Sequence, residues 1–252
     1  MPRIIPCLLV HNGGLVKTTN FKDPKYVGDP INAVKIFNEK EADELMVLDV
    51  DASVNKSEPN YKMIENLATE CRMPLCYGGG IKTPKQASKI FSLGVEKIAI
   101  SSVAIENPQI ISQISKEVGS QSVVVVLDVK KKLFGGYDIF TYNASKKNKL
   151  DLENFIIQIQ ELGAGEIVIN NIDNDGIMRG YDLNLIQKIK PIVKIPMTIL
   201  GGAGSVKDLK DLVDTFGIIG AAAGSMFVFK GKYKAVLINY PDAKTKQEIF
   251  SN

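Results

Sequence analysis

Eight short runs of apolar, largely β-branched residues recur along the chain: "RIIPCLLV", "ELMVLDV", "PLCY", "EKIAI", "SVVVVLDV", "EIVIN", "PMTIL" and "GIIGAAA". Most are apolar at consecutive rather than alternate positions, so both faces of the strands they predict must be covered. Between them lie stretches with helical period, such as "DPINAVKIFNEKEA", "NYKMIENLATEC", "TPKQASKIFSLG", "NPQIISQISKEVG", "DLENFIIQIQELG" and "SVKDLKDLVDTFG". Most open on Ser, Thr, Asp or Asn and several close on Gly, the usual helix caps. Doubly covered strands joined by helices require a parallel sheet, and eight such units in 252 residues predict an α/β protein, a single (β/α)8 TIM barrel over residues 1–252.

The pattern also repeats at longer range. "ADELMVLDVD" from Ala42 matches "AGEIVINNID" from Ala164, and "PLCYGGG" from Pro74 matches "PMTILGGAG" from Pro196, both 122 residues apart. Matching the ends of the first and fifth strands sets Leu9 against Asp128. The barrel therefore reads as two similar half-barrels, about 1–120 and 121–230, with a divergent tail at 231–252.

Composition narrows the function classes. A net charge of +3 without clustering gives no footprint for nucleic acid or a membrane surface, and Lys130, Lys131 and Lys132 beside a turn read as solvated loop. "MPRIIPCLLV" carries no cleavage signal, and no apolar stretch reaches about 18 residues, so a cytoplasmic chain is expected. Cys7, Cys71 and Cys76 match no paired metal spacing and read as reduced structural thiols. With His11 the only histidine, neither a metal nor a cofactor is expected.

Candidate chemistry lies where strands end. "YGGGIKTPKQ" and "LGGAGSVKD" place Gly79, Gly80, Gly201 and Gly202 between a strand and a helix, where bare backbone N–H groups can approach an anion. Ser101 and Ser102 follow the fourth strand as Gly224 and Ser225 follow the eighth. One such loop is as readily a tight turn. Two in matching places predict paired phosphate cradles and a two-phosphate ligand lying across the barrel mouth.

These residues, with "LVKTTNF", "DELMVLDVDAS", "ENPQIISQI", "GSQSVVVVLDVK" and "DNDGIMRGYD", resemble the HisF family, the cyclase subunit of imidazole glycerol phosphate synthase, over about residues 3–229. The resemblance implies a HisH-like glutaminase docked on the N-terminal barrel face. It also implies ammonia passing through the barrel to a bisphosphorylated ribulosyl nucleotide at the C-terminal face, in histidine biosynthesis. It assigns the family's two reacting carboxylates to the ends of strands 1 and 5, which here are Leu9 and Asp128. Lys17 matches a loop lysine associated with catalysis, and Asp175 with Gly176 matches the loop after strand 6, counted with the phosphate site. Arg3, Glu44, Lys97 and Glu166 match a charged gate for ammonia, although any one of them alone reads as a strand border. His11 falls where the family has lysine, in a loop at the active face, but no partner stands at a telling spacing.

Leu9 cannot carry a proton, so the ammonia route looks complete while half of the cyclase chemistry is missing. "CLLVHNGGLVKT" resembles a glycosyl-amidation-associated, WbuZ-like branch, which implies amidination of a nucleotide-linked surface sugar in lipopolysaccharide (O-antigen) biosynthesis with an ATP-dependent sugar amidotransferase. Two other readings stay open: an authentic cyclase subunit, and a non-catalytic activator of the glutaminase. After Phe229, "AVLINYP" reads as a strand where the family ends in a helix, leaving the tail free for an interface.

Overall fold

A computed structural model describes residues 2–231 and 233–251; positions 1, 232 and 252 of the chain lie outside the described residues. All eight predicted strands form: β1 (Arg3–His11), β2 (Leu45–Asp49), β3 (Leu75–Gly78), β4 (Lys97–Ile100), β5 (Val123–Lys131), β6 (Glu166–Asn171), β7 (Met197–Leu200) and β8 (Gly220–Ala223). Each pairs in parallel with the next, and β8 returns to β1 with Arg3 opposite Gly220, so the sheet closes into a barrel. Closure leaves no barrel-strand edge unpaired, and helices cover the outer face.

The helices of seven or more residues are α1 (Pro30–Glu39), α2 (Tyr61–Glu70), α3 (Pro84–Ser92), α4 (Gln109–Val118), α5 (Leu152–Glu161), α6 (Leu183–Ile189), α7 (Val206–Phe216) and α8 (Ala243–Phe250). Asp29, Asn60, Asp151, Asp182 and Asp242 accept the first free backbone N–H groups, while Thr83 with Gln86 and Ser205 with Asp208 form capping boxes. Gly119 and Gly217 end α4 and α7 at positive φ. Two cores result. The larger lies between strands and helices, and the smaller fills the barrel interior with Ile5, Cys7, Met46, Cys76, Val124 and Val168 among others.

The tail corrects one expectation. Only Ala235–Val236 of "AVLINYP" is extended, paired with Phe229–Lys230, and α8 follows it against α7. The tail is therefore fastened rather than free. The Tyr240 hydroxyl donates to the Ile4 carbonyl at 2.9 Å and accepts from the Asp43 N–H at 3.0 Å, and Lys246 pairs with Asp43 at 2.9 Å. Tyr240→Phe should lower stability by roughly 1–3 kcal/mol, the cost of leaving these buried groups unsatisfied; an unchanged thermal midpoint would contradict this. No helix among the described residues is long and apolar enough to cross a membrane.

Two hairpins rise beyond the C-terminal strand ends. The segment after β1 folds as Gly14–Thr19 against Lys22–Gly28, and β5 continues into Tyr137–Thr141 and Lys146–Asn148. They wall the mouth of the barrel.

Candidate active site at the C-terminal barrel mouth

A cavity of about 610 Å³ opens at this mouth, within the usual range for a small-molecule site. Leu9, Lys17, Asp49, Asp128, Asn170 and Asp175 all line it, as do Gly79, Gly80, Ser101 and Ser102. Asp128 of β5 lies directly opposite Asn170 of β6, whose side-chain amide donates to Asp128 Oδ1 at 2.8 Å. Burial pushes the Asp128 carboxyl up to about 7, opposed by the Asn170 hydrogen bond and reinforced by the charge of Asp175. A carboxyl in that range can take or give a proton near neutral pH.

The sign of the linkage follows. A carboxyl whose folded pKa is raised favours the fold while protonated, so its contribution is full below the unfolded value near 4 and is lost as pH rises through about 7. Asp128→Asn should therefore flatten the fall in stability between about pH 4 and 7, read from thermal midpoints across that window. Carbon-13 NMR of the carboxyl should place the titration itself, and a midpoint near 4 would contradict the assignment.

The matching corner of the other half is chemically inverted. Leu9 of β1 lies in register with Leu48 of β2, as Asp128 lies in register with Asn170. Neither leucine side chain offers a donor or an acceptor. Asn170 was not singled out in the sequence, although it stands 122 residues after Leu48, the spacing of the repeat.

The two anion cradles also differ. Gly79, Gly80, Ser101 and Ser102 face the cavity, and the Ser101 hydroxyl is buried with no hydrogen-bond partner among the described residues. Gly201, Gly202, Gly224 and Ser225 do not line it. The Lys17 ammonium fills the space that a side chain at 224 would take, and Gly202 packs against the Gly180 carbonyl. The Ser225 hydroxyl is buried beside this arrangement, also unpartnered among the described residues. Lys17 is itself buried, with neither an ion pair nor a side-chain hydrogen bond among the described residues.

Asp175 holds the first hairpin down. Its Oδ2 accepts from the Thr18 hydroxyl at 2.6 Å and the Phe21 N–H at 3.2 Å, and Asn20 donates to the Ile172 and Asp173 carbonyls. Gly176 lies so close to the Thr18 carbonyl that a Cβ would stand 2.2 Å from it. Both residues thus contact the strand-1 loop that carries Lys17. His11 lies outside the cavity lining, with Nδ1 2.6 Å from Asp51 Oδ1, while Asn12 N–H donates to Asp51 Oδ2 at 2.7 Å. In the other half the Lys131 N–H donates to Asp173 in the same way at 2.9 Å. The partner of His11 is a residue of the next loop, which spacing along the chain does not reveal.

At the opposite end Arg3, Glu44, Lys97 and Glu166 meet as an alternating ring. Arg3 donates to Glu44 and, at 2.8 Å, to Glu166; Lys97 reaches Glu44 at 2.8 Å and Glu166 at 2.9 Å. Thr198, not anticipated, donates to Glu166 at 2.6 Å. Burial works against every charge here, yet the carboxylates hold Arg3 and Lys97 above their ordinary values, and the two cations with Thr198 hold Glu166 below its own. Between ring and mouth the interior is apolar. Burial pushes Cys7 up to about 12 and Cys76 well above its ordinary value, so both thiols are neutral near pH 7. No group of three or more His, Cys, Asp or Glu side chains among the described residues is placed to hold a metal ion.

Comparison with known proteins agrees with this geometry. The family model for histidine biosynthesis protein matches residues 3–234. A Vibrio vulnificus chain provisionally named imidazole glycerol phosphate synthase subunit hisF3 is 61% identical over 247 residues, covering 98% of this chain and 95% of that one. A Leptospira borgpetersenii chain provisionally named HisF of the same synthase is 58% identical over 250 residues, covering 99% and 98%. The HisF subunit of Alkaliphilus metalliredigens is 37% identical over 225 residues, 89% of each chain. A closed barrel of eight parallel strands, matched by that model along nearly its whole length, belongs to the histidine biosynthesis family as a HisF-type chain.

Proposed function

We propose that this chain is the synthase subunit of a glutaminase-coupled complex in the cytoplasm. It takes ammonia through the barrel from a HisH-like partner on the N-terminal face and delivers it at the mouth for amidination of a nucleotide-linked surface sugar, in lipopolysaccharide biosynthesis. An ATP-dependent sugar amidotransferase completes the reaction. One contrast carries the reading: the ion ring at the entry end is fully paired, whereas at the exit end Leu9 and Leu48 stand where the other half sets Asp128 and Asn170. The apolar interior with its neutral thiols suits uncharged ammonia and penalises ammonium. Asp128, near 7, accepts or returns the proton when ammonia reacts, and the cradle at Gly79, Gly80, Ser101 and Ser102 holds a phosphoryl group of the ligand.

The names of the relatives favour a second reading, the cyclase subunit of imidazole glycerol phosphate synthase itself. It differs in requiring proton transfer at both strand ends, which Leu9 does not provide.

Amide-labelled [15N]glutamine, supplied to the complex with glutaminase and sugar amidotransferase in a large excess of unlabelled ammonium, tests the first. Label should reach the sugar amidine undiluted. Dilution to the bulk isotope ratio would show that ammonia escapes to solvent and that the barrel is not its route.

A further inference from the structure

The cavity is lopsided, and the asymmetry identifies what its occupant must look like. Leu9 and Leu48 are neighbours in register, both only partly buried, and both line the cavity. Leu48 is followed in register by Gly78, which leads directly to the open cradle at Gly79 and Gly80. Phe21 and Val50 add apolar surface from the adjoining loops. Across the mouth the corresponding in-register pair is Asp128 and Asn170, while Asp49 beside Leu48 turns an oxygen to the Asp51 and Ala52 N–H groups.

We infer that the Leu9–Leu48 corner is an apolar subsite beside the open anion cradle, selecting a phosphorylated ligand whose neighbouring group is an uncharged ring or alkyl substituent. The inference rests on the phosphate reading of the same cavity given above, and it deepens that reading by naming the second feature of the ligand, the uncharged ring that a nucleotide carries in its base. A hydroxylated group placed on two leucines forfeits its hydrogen bonds to water and regains none, whereas a ring or alkyl group gains by leaving water. At the second cradle the Lys17 ammonium stands over Gly224, where a side chain at 224 would meet it.

Three probes separate the contributions: inorganic phosphate, glycerol phosphate and phenyl phosphate, titrated calorimetrically into the full chain at constant ionic strength. Phenyl phosphate should bind roughly tenfold or more tightly than glycerol phosphate, the effect expected for removing a ring from water. Leu9→Asn and Leu48→Thr should each bring that ratio toward one while leaving inorganic phosphate unchanged. Ser101→Ala should weaken all three probes together. Using two leucine variants guards against one that fails to fold, and circular dichroism identifies such a failure.

Equal affinity for phenyl and glycerol phosphate in the unsubstituted chain would overturn the inference. So would a preference that survives both leucine substitutions, or the absence of binding by every probe. The outcome is separable from the ammonia route: label transfer from glutamine with no phenyl preference leaves the proposed function standing and removes the apolar subsite. A phenyl preference with diluted label does the reverse.

Discussion

Given a bisphosphorylated ribulosyl nucleotide and ammonium chloride, the purified chain is expected to turn over roughly 10²–10⁴-fold more slowly than the ~1–10³ s⁻¹ of ordinary enzymes. The factor is the usual loss when a positioned proton donor or acceptor is removed, and Leu9 removes one of two. Asp128 remains poised near neutrality, but Asn170 ties it to its own side of the mouth, and across it neither Leu9 nor Leu48 can exchange a proton, while the neighbouring Asp49 spends an oxygen on the Asp51 and Ala52 N–H groups. Leu9→Asp should recover part of the deficit, because position 9 is partly exposed to the cavity and a carboxylate there keeps solvent contact. Ordinary turnover by the unsubstituted chain would place the histidine-pathway cyclase ahead of sugar amidination.

Lys97→Met is expected to have the largest effect at the other end. Lys97 bonds both buried carboxylates, and its removal leaves Glu44 and Glu166 to share Arg3 alone. Breaking a buried pair costs about 3–5 kcal/mol, and the partial exposure of the lysine with the surviving arginine should hold this case near the lower figure. Functionally, the complex should lose the one-to-one relation between glutamate released and nitrogen incorporated. A variant that keeps both rates and their ratio would reduce the ring to a strand border. The ring should also fail in acid: the folded pKa of Glu166 is depressed, so its stabilising contribution is full above the ordinary value near 4.3 and is lost as pH falls through the lowered one.

The barrel was legible because each of its strands is buried on both faces, which leaves an apolar run that polar flanks cannot disguise. The hairpins of the mouth were not, since "LVKTTNFKDPKYVG" is held by contacts outside its own sequence, from Thr18 and Phe21 to Asp175 and from Asn20 to Ile172. Helix α8 was missed for a similar reason. Its approach segment is apolar because Tyr240 packs between Phe37 and Phe227, and the segment is not extended throughout. Within the site, the repeat alone sets Leu9 against Asp128 and Glu44 against Glu166, and the full set of ring charges came from the family resemblance, whereas Thr198 and the His11–Asp51 contact arise only when distant strands become neighbours.

The fastening of the tail bears on how the molecule comes apart. The seam between β8 and β1 joins the end of the chain's regular strands to their beginning, and Tyr240 stitches the final segment across both Ile4 and the entry to β2. Neither half can peel away without releasing the other's closing contacts, so the barrel should melt in a single cooperative step despite its internal repetition. A protease nick between the halves should leave two fragments that migrate together until denaturant is added.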